Sequence, residues 1–309
     1  MEKIEGERYM EKIAFLFPGQ GAQYPGMGKA LYESEKEIFD AAEKIRPGIV
    51  GMCFSGTADD LKKTENTQPC LYMTELAAAD ALMKAGVLPD VLAGFSLGEI
   101  VALAVGGAYT YDEGFEIVCK RGELMAKTTE KVKTGMIAVL KLTNEEVERI
   151  CSLHEGVYPV NYNCPGQVTV AGLTDELEKS KADFTAAGGR VIPLAVSGGF
   201  HAPFMDEAAH EFGEFLVGED IGVLERPVYA NCTAEKYGED VWELMEKQIN
   251  HPVLWEQTIR NMSEAGITAF VEIGPGQTLT KFVKKILPNA KTYHAETPEE
   301  IAAVAEELK

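Results

Sequence analysis

The sequence has little of several features that define whole classes of protein. Its 29 Lys and Arg face 49 Asp and Glu among 309 residues, a net charge of −20. Such a surface is repelled by nucleic acid and by anionic membranes, so we expect neither as a partner. No apolar run is long enough to cross a bilayer. The start, MEKIEGERYM, is charged where a signal peptide is apolar, which predicts a cytoplasmic protein; Met10 is an alternative start.

Cysteine is also sparse, and its spacing does not fit the usual cysteine-based sites. The six cysteines include no CxxC pair, and none stands at metal-ligand spacing from a histidine. We interpret them as reduced core residues and expect no metal site.

Short apolar runs separated by helical segments indicate an α/β fold. Residues 13–17 form an apolar run that ends at the loop PGQG, as a buried strand would. A helix is predicted over residues 74–85, followed by a second buried strand, VLAG, and a helix in LGEIVALAV. Buried strands separated by helices predict a parallel sheet.

The middle of the chain has a different order of elements. From Met136 the pattern predicts strand, helix, strand, strand, helix and strand, the βαββαβ order of ferredoxin-like domains. The sequence therefore predicts a ferredoxin-like subdomain over residues 132–197. It is inserted in a larger α/β domain formed by residues 10–131 and 198–309.

The larger domain has a serine between two glycines where a strand gives way to a helix. The segment VLAGFSLGE places Gly94, Ser96 and Gly98 at the GxSxG spacing of a nucleophile elbow. Alone, this spacing more often marks an ordinary turn. The buried strand before it and the apolar helix after it favour Ser96 as a nucleophile.

A serine nucleophile needs a base, because its hydroxyl reacts weakly near neutral pH. His201 is the best placed of five histidines, since SGGFHAP is a glycine-rich loop between a strand and a helix. The others lie in polar helical stretches, a loop and a late strand: His154, His210, His251 and His294. No acidic residue between Ser96 and His201 is a convincing third member, so a backbone carbonyl is expected to orient the imidazole.

Arg121 is out of place in its predicted helix. The helix opens with a Thr110-x-x-Glu113 capping box, and its polar face does not include Arg121, which projects among apolar residues. A guanidinium against a core needs an anion. A buried ion pair and a carboxylate on an acyl substrate are both open, and the nearby serine favours the substrate.

The first loop, FPGQGAQ, does not have the spacing of a phosphate-binding loop or of a dinucleotide fingerprint. Its backbone N–H groups lie at the carboxyl end of a predicted strand. They suit one half of an oxyanion hole, with the N–H of Leu97 as the other half.

Seven segments together resemble the malonyl-CoA:acyl carrier protein transacylase family: FPGQGAQYPGMG, TQPCL, AGFSLGE, KRGELM, NYNCPGQVTVAG, SGGFHAPFM and EIGPGQTL. They run along nearly the whole chain in the family's order. The resemblance implies an α/β-hydrolase-like domain with an inserted ferredoxin-like subdomain. One position departs from the family: Phe95 stands where histidine usually precedes the serine.

The resemblance also implies roles for individual residues. Ser96 would be the nucleophile and His201 the general base and acid, with the N–H groups of Gln20 and Leu97 holding the oxyanion. Arg121 would clamp the malonyl carboxylate. Further roles follow for three residues: the carbonyl of Gln248 would orient the histidine, Asn163 would border the CoA arm, and Phe200 would select malonyl.

The implied function is ping-pong transfer of malonyl from malonyl-CoA to the phosphopantetheine thiol of acyl carrier protein, with no cofactor of its own. The carrier is acidic, so docking needs a basic site. We expect it at Lys281, Lys284 and Lys285, with Lys62 and Lys63 as the second candidate. Two alternatives are a serine thioesterase acting on acyl carriers and a non-catalytic carrier-binding module. The absence of fused synthase domains from the sequence favours fatty acid over polyketide synthesis.

Overall fold

The computed structural model describes residues 11–239 and 241–309, so the alternative start at Met10 lies outside the described residues. Within them, the strands in chain order are β1 (Ile13–Phe17), β2 (Val91–Gly94), β3 (Thr134–Leu140), β4 (Val157–Cys164), β5 (Gln167–Leu173), β6 (Arg190–Pro193), β7 (Val228–Tyr229), β8 (Ala269–Ile273) and β9 (Lys291–Ala295). The helices are α1 (Lys36–Ile45), α2 (Ile49–Ser55), α3 (Thr64–Lys84), α4 (Gly98–Val105), α5 (Tyr111–Thr129), α6 (Asn144–Cys151), α7 (Thr174–Ala186), α8 (Asp206–Leu216), α9 (Val241–Asn250), α10 (Trp255–Glu264), α11 (Thr278–Ile286) and α12 (Pro298–Leu308).

The larger sheet is parallel and buried on both faces. Its strand order is β7-β2-β1-β8-β9, and every residue of β1, β2 and β8 is buried. Alternate residues of β1 enter different cores: Phe15 packs with α3 and α4, whereas Leu16 packs with α10 and α11. Burial on both sides explains why these strands are continuous apolar runs.

The smaller sheet is antiparallel, with the order β4-β5-β3-β6. Helices α6 and α7 pack on one face, around Val139, Val168 and Phe184. On the other face, Met136 and Ala171 join the core of the larger domain. This is the ferredoxin-like arrangement, and the predicted fold class is confirmed. The exact domain boundaries at 132 and 197 stay a prediction.

A short backbone link joins the smaller sheet to the loop that follows α9. Val253, which follows α9, donates its N–H to Val160 O at 2.8 Å, and its own carbonyl accepts from Tyr162 N at 2.9 Å. Strand β4 is thereby attached to the segment that carries Gln248. This link holds the small sheet beside the loops at the carboxyl end of the large one.

Helix α3 begins at Thr64, ten residues before the predicted start at residue 74, and contains Pro69. Proline lacks the N–H that would bond to the carbonyl four residues earlier. Arg46 Nη1 donates to that carbonyl, Glu65 O, which compensates for the missing bond. The sequence prediction failed because proline counts against a helix, whereas here another side chain satisfies the exposed carbonyl.

One smaller prediction also differs from the structure. His154 lies past the end of α6 and pairs with Asp183 at 2.8 Å, outside any helix. Among the residues described, no helix has both the length and the apolar character that a bilayer crossing requires.

Candidate active site

Ser96 lies on a sharp turn between β2 and α4, where its φ of 54° is in the left-handed region. Both flanking glycines are sterically necessary. A Cβ at Gly94 would lie 1.8 Å from the carbonyl carbon of Gly98, and a Cβ at Gly98 would lie 2.1 Å from Phe17 O. A non-glycine residue held at positive φ is a strained feature typical of functional sites. The geometry is that of a nucleophile elbow.

The imidazole of His201 lies against this serine. Its Nε2 is 2.7 Å from Ser96 Oγ, and its Nδ1 is 2.8 Å from the carbonyl oxygen of Gln248. A carbonyl only accepts, so Nδ1 carries the proton and Nε2 is free to accept from the serine hydroxyl. Burial, with the nearby charge of Arg121 as a smaller cause, lowers the pKa of His201 to about 4. The imidazole is therefore neutral near pH 7, as a general base must be.

Arg121 is 1% exposed, and its guanidinium lies beside the same hydroxyl. Its Nη2 is 3.3 Å from Ser96 Oγ and 2.6 Å from Gln248 Oε1, while Nη1 donates to Gln68 Oε1 at 2.7 Å. No carboxylate of the described residues lies within 4.0 Å of it, so the buried ion pair left open by the sequence is absent there. Burial lowers the pKa of Arg121 to about 10, which leaves it charged at neutral pH.

Gln248 connects all three groups. Its main-chain carbonyl accepts from His201, its side-chain oxygen accepts from Arg121, and its Nε2 donates to Ser96 O at 2.6 Å. Of these three contacts, only that of the carbonyl was predicted from the sequence. Helix α9 thus positions the base, the cation and the strained backbone of the serine at once.

The oxyanion-hole candidates flank the serine. Leu97 immediately precedes α4, and Gln20 lies in the loop after β1. That loop is pressed against the elbow, because a Cβ at Gly19 would lie 2.4 Å from Phe95 O. The side chain of Gln20 is fixed by Thr64, whose hydroxyl donates to Gln20 Oε1 at 2.9 Å. Both N–H groups stay predicted oxyanion donors.

Within the described part of the chain, two other predicted residues make no polar contact with Ser96. Asn163 is buried in β4, where its Nδ2 donates to Thr169 Oγ1 at 3.1 Å and its Oδ1 has no hydrogen-bond partner among the described residues. Phe200 is buried in the core next to His201. Their roles at the CoA arm and in malonyl selection stay predictions.

Phe95 joins an aromatic cluster. Its ring lies 5.5 Å from that of Trp255 in an edge-to-face arrangement and 6.5 Å from that of Phe282 on α11. Phe95 is half-buried, beside a half-buried Ser96. The departure from the family's histidine therefore exchanges a polar neighbour of the nucleophile for an apolar contact with α10 and α11.

Sequence reasoning missed three polar residues of this site. Gln68, in the TQPCL segment, holds Arg121. Asn231 and Glu99 are fully buried behind the elbow. The only signal for them was a polar residue within an otherwise apolar stretch, which does not say where the side chain points.

A different cluster could in principle hold a metal ion. Ligand atoms of His294, Glu296 and Glu300 lie within 4.8 Å of one another. However, His294 Nε2 is committed to Gly274 O at 2.9 Å, and Glu300 caps α12 by accepting from Thr297 N. These hydrogen bonds give the cluster a structural role: it caps α12 and connects that helix to β9.

Comparisons with known proteins give the family of the chain. The model of the acyl transferase domain family matches residues 14–303. The chain belongs to the acyl transferase family. It is 38% identical over 311 residues to the malonyl CoA-acyl carrier protein transacylase of Bacillus subtilis (strain 168), covering 97% of this chain and 98% of that protein.

Solved structures show the same fold over nearly the whole chain. The malonyl CoA-acyl carrier protein transacylase from Clostridium perfringens superposes with a TM-score of 0.92 at 38% identity, covering 96% of this chain and 97% of that one. A malonyl-transacylase in complex with a type II PKS acyl-carrier protein gives 0.92 at 30% identity, covering 96% and 99%. The protein is an acyltransferase, and these relatives do not support the thioesterase alternative.

Proposed function

We propose that this acyltransferase moves a malonyl group from malonyl-CoA to the phosphopantetheine thiol of acyl carrier protein. One observation carries the proposal: a buried, charged guanidinium lies 3.3 Å from the nucleophilic hydroxyl and has no carboxylate within 4.0 Å among the described residues. An acyl group that carries its own carboxylate would supply the missing anion.

In the first half-reaction, Ser96 Oγ attacks the thioester carbonyl of malonyl-CoA while His201 Nε2 takes the hydroxyl proton. The N–H groups of Gln20 and Leu97 would stabilise the oxyanion. The C–S bond then breaks, and the CoA sulfur leaves with the proton from His201. The products are a malonyl-serine ester and free CoA.

The second half-reaction reverses these steps with a different thiol. The phosphopantetheine thiol gives its proton to His201, and its sulfur attacks the ester carbonyl. The C–O bond to Ser96 breaks, and the serine oxygen recovers the proton. No electron is transferred and no Lewis acid is invoked, so the proposed cycle uses no cofactor beyond the phosphopantetheine of the partner.

The amides around Arg121 suit this selectivity. Gln68 and Gln248 hold the guanidinium through neutral oxygens, at 2.7 and 2.6 Å. A carboxylate in either place would neutralise it before the substrate arrived. The neutral amides orient the guanidinium of Arg121 without neutralising it, so its charge remains available to pair with the malonyl carboxylate.

We place carrier docking on the exposed face of α11, formed by Lys281, Lys284 and Lys285. None of the three has an acidic partner within 4.0 Å among the described residues, whereas the second candidates are paired, Lys62 with Asp59 at 2.7 Å and Lys63 with Asp60 at 3.9 Å. The α11 lysines line a groove of about 500 Å³ together with Phe282. The ring of Phe282 lies 6.5 Å, centre to centre, from that of Phe95, the residue that precedes Ser96.

Charge reversal tests this docking surface. Lys284→Glu with Lys285→Glu should raise the KM for the carrier about tenfold or more and leave acylation by malonyl-CoA unchanged, because rim charges act on association. Lys62→Glu with Lys63→Glu is the matched control. An equal effect of both pairs, or none from the first, would remove α11 as the docking site.

The compartment proposed is the cytoplasm. Cys53, Cys70, Cys119, Cys151 and Cys164 are free thiols in the structure, and Cys53 Sγ contacts Cys70 O at 3.9 Å. Free thiols are typical of a reducing compartment.

The central experiment is intact-mass spectrometry of the protein mixed with malonyl-CoA alone, with Ser96→Ala as control. We expect a lasting malonyl adduct that requires Ser96 and disappears when holo acyl carrier protein is added. Free malonate without an adduct would identify a hydrolase. Absence of both would indicate a non-catalytic carrier-binding protein.

A further inference from the structure

Asn231 lies directly behind the nucleophile, two residues after β7. It is fully buried, and its side chain spans the elbow: Oδ1 accepts from Ser96 N at 2.6 Å, and Nδ2 donates to Gly94 O at 2.6 Å. These are the two bonds that a neighbouring strand would exchange with residues i and i+2. The side chain continues the β2–β7 pairing beyond the point where the strands separate.

The main chain of Asn231 is fixed equally firmly. Its N–H donates to Glu99 Oε2 at 2.7 Å, and its carbonyl accepts from Leu254 N at 2.8 Å. Glu99 is fully buried in the first turn of α4, and the hydroxyl of Tyr237 donates to its other oxygen. Each hydrogen-bonding group of Asn231 therefore has a partner, and the asparagine has a single orientation.

Glu99 is also linked electrostatically to Arg121. Burial raises the pKa of Glu99 to about 7, while the bonds from Tyr237 and Asn231 and the charge of Arg121 oppose that rise. Glu99 thus belongs to the hydrogen-bond network behind the elbow and also interacts with the charge of Arg121.

We infer that Asn231 is a positioning residue for the acyltransfer reaction: its amide holds the strained backbone of Ser96, and thereby aims both Ser96 Oγ and the N–H of Leu97. A serine backbone at positive φ is strained, and local interactions do not stabilise that conformation. The two short hydrogen bonds from the Asn231 amide stabilise it instead. A small displacement of Oγ is costly, because acyl transfer depends on near-attack geometry.

The inference rests on the proposed function, and its test separates the two. Single-turnover acylation by malonyl-CoA is followed by mass for the wild type, Asn231→Ala and Asn231→Asp. For Asn231→Ala we expect an acylation rate about 10²-fold lower, with a half-saturating malonyl-CoA concentration close to that of the wild type, because Arg121 is untouched. If the wild type forms no adduct, the proposed function fails rather than this inference.

Asn231→Asp gives a readout that a purely structural role would not move. The new carboxyl must be protonated to donate to Gly94 O, and burial favours protonation. The acylation rate of Asn231→Asp at pH 8 should therefore be about 10²-fold below that of the wild type at the same pH. At pH 5.5 the difference from the wild type should shrink to about tenfold or less. Among the described residues, the titratable or charged groups near the elbow include Glu99, Tyr237, His201 and Arg121, and the ratio to wild type allows for their contribution.

Asn261→Asp is the matched control, since Asn261 Nδ2 also donates to a backbone carbonyl, Ala234 O at 2.9 Å, away from the elbow. It should acylate at the wild-type rate at both pH values. Circular dichroism establishes that each variant is folded at the assay temperature. Folded Asn231 variants with wild-type rates, or a deficit in Asn231→Asp that is the same at both pH values, would overturn the inference.

Discussion

The two sheets of this protein differ in what they contribute to the site. In the parallel sheet, the carboxyl ends of β1 and β2 meet, so the loops that follow them bring Gln20 and Ser96 to one edge. The antiparallel sheet has no such common edge, and of the predicted site residues only Asn163 lies in it. It acts instead through its link from β4 to Val253, near Gln248. Chemistry is concentrated where parallel strands end, whereas the second sheet supports a neighbouring loop.

We expect the largest effect on the acylation rate at Arg121, which belongs to the site at the parallel sheet. Arg121→Met should lower the rate of acylation by malonyl-CoA about 10²-fold or more, because a charge-assisted bidentate contact is lost. Acylation by acetyl-CoA, which has no carboxylate to bind, should not fall. Single-turnover rates with both thioesters test this, and an equal fall for both would mean that Arg121 supports the fold of the site rather than malonyl binding.

A large effect of a different kind is expected in the antiparallel sheet. Phe184 is fully buried against β3 and β5. Phe184→Ala should lower the free energy of unfolding by about 3–5 kcal/mol, measured by urea denaturation. The acylation rate of the folded variant at low temperature should match that of the wild type. Exposed Lys179→Ala is the control; a lower acylation rate in folded Phe184→Ala would give the small sheet a direct part in positioning the site.

The pH dependence tests the base. His201 accepts a proton only when neutral, so kcat/KM for malonyl-CoA should stay level as pH falls from 7 and drop through the lowered pKa of about 4. If the base had the usual pKa of a histidine, kcat/KM would instead fall at about pH 6.5. Since Arg121 contributes to that lowering, the acid limb of Arg121→Met, measured with acetyl-CoA, should move to higher pH. If kcat/KM of the wild type fell at about pH 6.5, that result would contradict a buried, neutral imidazole at His201.

The smallest effect is expected at Phe95. Phe95→His restores the usual family residue and loses the edge-to-face contact with Trp255, which should cost about 1 kcal/mol of unfolding free energy. Acylation should change less than tenfold, because Ser96, His201 and Arg121 keep their contacts. Thermal denaturation and single-turnover rates measure the two quantities. A larger change in rate would show that the aromatic cluster takes part in acyl transfer.

The local features of the site were predictable from sequence because short-range sterics decide them. Gly94 and Gly98 leave room for the elbow only because they lack a Cβ, and the capping box at Thr110 forms as predicted. The polar mismatch of Arg121 was also visible from helical periodicity. Spacing alone said nothing about Gln68, whose amide reaches Arg121 from 53 residues away.

What the sequence determined by itself is the order of elements, the strained serine turn and the buried position of Arg121, since each depends on neighbours within a few residues. Tertiary structure decided which groups meet. The carbonyl of Gln248 reaches His201 across 47 residues, and the amide of Asn231 reaches Ser96 across 135. Hydrogen bonds over such separations depend on how whole elements pack, and no local pattern records that packing.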